Sequence, residues 1–137
     1  MLGDPESLRH EVAVRDFRRA RREASMQQLM ARITGKSADL LAYNEVCERL
    51  KVSGSVELGV QEIPLDAIVG SVGRYKDFTR SFMPRSDQDE VRWVGVKTAV
   101  NDMRGMPPID VYKMGEAYFV NDGNHRVSVA RQLGSET

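Results

Sequence analysis

Five residues constrain this chain more than any others. Asp122-Gly123-Asn124-His125-Arg126 stand between the apolar, strand-like Ala117-Tyr118-Phe119-Val120 and the helical run 127–133. The order is strand, tight turn, helix. A helix that opens directly after a glycine turn leaves unpaired backbone N–H groups and a positive dipole end aimed at one point, where an anion can sit. His125 and Arg126 fall in the first turn beside that point. Phosphate suits such a place, because an arginine fork makes two parallel charge-assisted bonds while backbone amides take the remaining oxygens. Gly123 supplies positive φ or a close backbone approach.

The residues before the turn describe how it is delivered. Residues 109–114 and 117–121 alternate as strands around Gly115-Glu116, a two-residue hairpin turn, so the two must run antiparallel. Residues 87–103 read as a helix. Asp87, Asp89 and Glu90 favour its start by the dipole rule, and Gly105 closes it. Further upstream, 56–69 has β-branched residues, weak alternation and Pro64, the signature of an edge strand or a strand followed by a turn. Residues 70–75 then form a flexible polar loop and 76–82 a short helix ended before Pro84. Arg74, Tyr75 and Arg80, with Lys76, make a basic and partly aromatic ligand loop. The fold class that results is α+β: a small mixed β-sheet with helices packed on it, preceded by two N-terminal helices.

Those two helices occupy residues 1–55, a helical extension, with the compact domain at 56–137. Residues 7–33 lack proline and glycine and are dense in arginine: Arg9, Arg15, Arg18, Arg19, Arg21, Arg22 and Arg32 against Glu11, Asp16 and Glu23. The apolar positions drift around the axis instead of making one stripe, as in a segment that is kinked or meets different partners along its length. Its basic face is a solvated surface, or one that meets acidic protein or DNA phosphates. Ser37 is placed to cap a second helix over 38–51, with Leu40, Leu41, Val46, Cys47 and Leu50 as its buried face. Both helices are expected to pack on the domain or on a second copy in a homodimer. Thr34-Gly35-Lys36-Ser37 is not a phosphate loop, since the leading glycine is absent and helix, not strand, precedes it.

Composition narrows the setting. Of 137 residues, 41% are hydrophobic and 29% charged, enough for one real core. Lys plus Arg and Asp plus Glu are both 20, so the whole-chain field does not announce a nucleic-acid or membrane partner. The single Cys47 excludes an internal disulfide framework and reads as a small core residue. No run approaches the roughly 18 apolar residues of a membrane span, and the N-terminus lacks the apolar core of a secretory signal. A cytoplasmic setting with no membrane partner is expected.

The strings EIPLDAI and VNDMRGMPPIDVYKMGEAYFVNDGNHRVSVARQLG together resemble the ParB/sulfiredoxin superfamily over residues 61–134. In that superfamily a strand, a helix, a glycine, a Pro-Ile-x-Val strand, a hairpin and a Gly-x-x-Arg turn-helix follow one another. The resemblance implies a ParB-like domain that binds nucleotide phosphates through Gly123, Asn124, His125 and Arg126. The ligand it implies is a nucleoside triphosphate or diphosphate, ATP or CTP, with magnesium. Sulfiredoxins carry a catalytic cysteine immediately before the His-Arg pair, where this chain has Asn124. Partition proteins carry a further arginine two residues beyond the motif arginine, where this chain has Ser128, and residues 127–137 do not themselves hold the helix-turn-helix that partition-type DNA binding would lead one to expect. The free serine kinases carry Asp-Gly-His-His-Arg, from which 122–126 differs at Asn124.

Three functions follow from the resemblance. The first is a nucleotide-phosphate-binding domain with a regulatory or DNA-associated role, the second a small-molecule kinase or nucleotidase, and the third a non-catalytic protein-interaction domain. No catalytic residue stands out, and Glu62, Asp66 and Asp122 are the candidate acids. Asn124 caps the helix or contacts ligand. Asp122 orients His125 or Arg126, holds a magnesium ion that bridges phosphates, or shapes the turn.

Overall fold

Strands β1 (Leu41–Ala42), β2 (Ile68–Ser71), β3 (Asp110–Met114) and β4 (Ala117–Asp122) form one mixed sheet in the order β1-β2-β4-β3. This computed structural model describes residues 5–52, 54–101 and 107–137. Strands β1, β2 and β4 are mutually parallel, and β3 closes the edge as the antiparallel partner of β4. The β3–β4 hairpin turns at Gly115, whose φ of +61° is the left-handed geometry a two-residue connection needs. Because the three parallel strands end at Ala42, Ser71 and Asp122, everything that follows them gathers at one edge of the sheet.

Four helices complete the described fold: α1 (Pro5–Thr34), α2 (Tyr43–Leu50), α3 (Glu90–Asn101) and α4 (Asn124–Gln132). Helix α1 presents Ala13, Phe17, Ala20 and Ala24 to one core, together with Trp93 and Val94 of α3, Met83 and Val129. Its alanines let α3 approach closely, and the Phe17 and Trp93 rings meet edge to face at 5.6 Å, a pair worth about 0.5–1.5 kcal/mol beyond its buried area. Within this interface Asp16 and Lys97 form an ion pair at 3.2 Å with both side chains buried, and the Lys97 ammonium also donates to Gln132 at 3.1 Å. A second core sits under the sheet and contains Leu65, Ile68, Phe78, Phe82, Val120 and Val127.

Helix α4 separates the two cores. Val129 faces the first, Val127 and Ala130 face the second, and Ser128 accepts a 2.9 Å hydrogen bond from the Trp93 indole. It is buried on most of its circumference, which is why no clean amphipathic stripe is visible in its sequence.

Several expected elements differ. The helix expected over 38–51 begins only at Tyr43, because Leu41 and Ala42 pair with Gly70 and Ser71 as a strand. Ala42, not Ser37, stands at the N-cap, and the Ser37 hydroxyl accepts from the Asp39 amide instead. No residue of α2 is buried: Leu50 is exposed and Val46 and Cys47 are half-buried, and with Leu41 of β1 exposed as well, only Leu40 of the expected face enters a core. The strand expected over 56–69 exists only as β2 at its end. Before it, Gly54 and Gly59 hold positive φ and Pro64 lacks an N–H, so 56–64 has no ladder.

Gly70 and Ser71 are strand, not flexible loop. A Cβ on Gly70 would overlap the Leu41 carbonyl oxygen and come within 2.6 Å of the Phe119 ring, so glycine is what lets β1, β2 and the Phe119 side chain meet. No helix forms over 76–82. Phe82 takes φ +64°, Phe78 bridges to Pro84, and the Arg80 amide donates to the Ala38 carbonyl at 2.7 Å. Burying both Phe78 and Phe82 in the second core outweighs local helix preference. Met103 and Gly105, expected to end α3, lie outside the described residues. Among the described residues no helix is long and apolar enough to cross a membrane.

Candidate functional site

The turn after β4 is built as an open helix start. Gly123 is the N-cap of α4 with φ +110° and ψ 23°, and no side chain caps the helix. The first helical bond runs from the Val127 amide to the Gly123 carbonyl at 3.0 Å, so the amides of Asn124, His125 and Arg126 precede the ladder. Gly123 is also sterically required: a Cβ there would sit 2.5 Å from Ile109 Cγ2 and 3.2 Å from Arg126 Nη2. This turn lies at the carboxyl edge of the three parallel strands, the side of an α/β sheet where ligands gather.

Asn124 is not the cap. It is the first helical residue, buried, and its Oδ1 accepts from the Ser71 hydroxyl at 2.8 Å. That hydroxyl oxygen in turn accepts from the Arg74 amide at 3.1 Å, which ties the end of β2, the loop after it and α4 into one unit.

His125 is buried as well, its ring edge-on to Phe78 at 5.3 Å. Asp89 Oδ1 lies 3.4 Å from Nε2 but without hydrogen-bond alignment, so this buried nitrogen has no hydrogen-bond partner among the described residues. Burial pushes the imidazole below its ordinary value of 6.5. The Asp89 carboxylate opposes that shift, and the charges of Arg92 and Arg74 add to it.

Arg126 points back along its helix to the turn. Its Nη1 donates to the Pro107 and Pro108 carbonyls at 3.1 and 3.0 Å, and its Nη2 contacts Asp122 Oδ2 at 3.2 Å. The guanidinium is therefore held from one side, with Nη2 beside Gly123 and paired to a carboxylate whose side chain is 80% exposed.

The remaining candidates scatter. Asp66 pairs with Arg131 at 3.5 Å, at the opposite end of α4 from Gly123, and is almost wholly exposed. Glu62 is exposed in the segment before Pro64. The ligand loop divides: Arg74 lies within electrostatic reach of His125 and pairs with Asp77 at 3.1 Å, whereas the Arg80 side chain donates to the Asp39 carbonyl at 2.7 Å. Tyr75 half-enters the second core and, with Lys76, Arg85, Asp39, Glu45 and Arg49, lines a depression of about 310 Å³. A larger groove of about 620 Å³ runs along the free edge of β3 beside 54–61.

Ser71, Asp89 and Arg92 escaped the sequence reading. Asp89 was visible as a helix-start acid, but nothing in the spacing of Ser71 or Arg92 ties either to a turn more than thirty residues further on. Among the described residues no three His, Cys, Asp or Glu side chains converge as metal ligands. Comparison with protein-family models, curated proteins and solved structures finds no match to this chain.

Proposed function

We propose that the start of α4 binds the phosphates of a nucleotide, in a ParB-like domain whose role is regulatory. The observation that carries this reading is the uncapped glycine start of α4 at the carboxyl edge of the parallel strands, with the charges of Arg74, Arg92 and Arg126 around it. Amides of residues 124–126 receive phosphate oxygens, and Arg126 Nη2 exchanges Asp122 for phosphate while Nη1 stays on the proline carbonyls. Because the Arg126 fork is already oriented, little side-chain entropy is lost on binding. His125, buried and biased to neutral, positions the helix start instead of supplying charge. Magnesium arrives with the nucleotide, as the partner of its phosphates.

The test is thermal unfolding with ATP, ADP, CTP and GTP in the presence of magnesium. A ligand that binds only the native state adds about 2.7 kcal/mol of stability at a hundredfold excess over Kd. At least one nucleotide should raise the midpoint, and Arg74→Ala, an exposed change, should shrink the rise. No response to any of the four would end this reading. The competing enzyme reading draws on Asp89 beside His125 as an acid–base pair. Transfer of the terminal phosphoryl group to a hydroxyl acceptor, lost in Asp89→Asn with nucleotide binding kept, would favour it over a binder.

A further inference from the structure

Helix α1 has two working faces. The drift of its apolar residues resolves into a buried face at positions 13, 17, 20 and 24 and a second face turned to solvent. On that second face, positions 8, 12, 15, 19, 22, 26, 29 and 33 alternate steps of four and three, the seam spacing of a coiled coil, and all eight are exposed. Leu8 and Val12 begin the seam, and Met26, Leu29 and Ile33 end it, with Ile33 71% exposed. Its middle is Arg15, Arg19 and Arg22. The helix is 30 residues long, about 45 Å, so the seam is a continuous ridge on the outside of the molecule.

We propose that this ridge docks an acidic amphipathic helix of a partner protein, with apolar residues opposite the two ends and carboxylates opposite the three arginines. Charge complementarity selects that occupant. Arg18 and Arg32 flank the seam against Glu11 and Glu23, so five arginines face two acids. Arg15 leans on Asp16 at 3.8 Å, but the other oxygen of Asp16 already serves Lys97, and Arg19 and Arg22 have no ion-pair partner among the described residues. A second copy is disfavoured by the same charges: antiparallel self-pairing places Arg19 against Arg22, and parallel pairing places every seam arginine against itself. Nucleic acid accounts for the arginines and leaves the exposed apolar residues at both ends without a reason to be there.

Two labelled helical peptides of about four heptads test the docking, one with leucine at the outer seam positions and glutamate at the three central ones, the other with lysine in place of glutamate. The glutamate peptide should bind the full chain about tenfold more tightly than the lysine peptide, and the triple change Arg15→Glu, Arg19→Glu, Arg22→Glu should reverse that order. Met26→Asp with Ile33→Asp should weaken the favoured peptide about tenfold without lowering the melting temperature, because both residues are exposed. Equal affinity for the two peptides, or none, would overturn the proposal. So would a duplex DNA that binds through the same arginines while the glutamate peptide does not, or a dimer in sedimentation that Met26→Asp dissociates. These readouts are independent of nucleotide binding at α4.

Discussion

Gly123 joins two demands that only glycine meets, a φ of +110° and the absence of a Cβ against Ile109. Gly123→Ala should therefore cost about 2–4 kcal/mol in urea unfolding, combining left-handed strain with overpacking. Adding Ile109→Ala should recover the overpacking part, so the two changes will not be additive. If Gly123→Ala is neutral, the turn is not held as described. His125 makes a second prediction, in pH. Its folded value lies below 6.5, so above that pH both states are neutral there and nothing is lost. As the pH falls through 6.5 the unfolded chain takes up a proton that the native imidazole resists, and stability declines until the folded value is passed. Stability measured from about pH 7 to 5 should fall less steeply in His125→Gln than in the parent. Removing the opposing carboxylate with Asp89→Asn should instead carry the loss to lower pH.

Between elements, α1 and α3 are joined by an ion pair that replaces apolar packing in their interface. Lys97→Met alone leaves the Asp16 charge buried and should cost about 3–5 kcal/mol, whereas Lys97→Met with Asp16→Leu should cost far less. Equal losses in the single and double variants would show that the pair is solvated. At this scale the sequence was legible where local chemistry decides. The β3–β4 hairpin follows from alternation around Gly115, and the start of α4 follows from Gly123. It was opaque where partners decide. Two-residue β1 exists only because Gly70 admits the Leu41 backbone, and Phe78 and Phe82 sit in a core that pulls 76–82 out of helix. Arginine spacing in α1 marked a basic helix correctly, but which face was buried depended on α3. At the candidate site the residue types were readable, and their partners were not: nothing local links Asn124 to Ser71, His125 to Asp89 or Arg126 to the carbonyls of Pro107 and Pro108.

Across the whole molecule, α4 is the shared wall of two cores, and it starts at Gly123, where Asn124 bonds to the end of β2 and His125 lies beside Asp89. In the proposed site, phosphate oxygens are received by the amides of residues 124–126. Nuclear magnetic resonance of the uniformly nitrogen-15-labelled chain, titrated with magnesium ATP and then magnesium CTP, reads those amides directly. With a nucleotide bound as proposed, the Asn124, His125 and Arg126 resonances should move most and saturate together, with Arg131 and Leu133 at the far end of the helix scarcely changed. Saturable shifts confined to the β3 edge groove, or no saturable shift at 124–126 with either nucleotide, would contradict it.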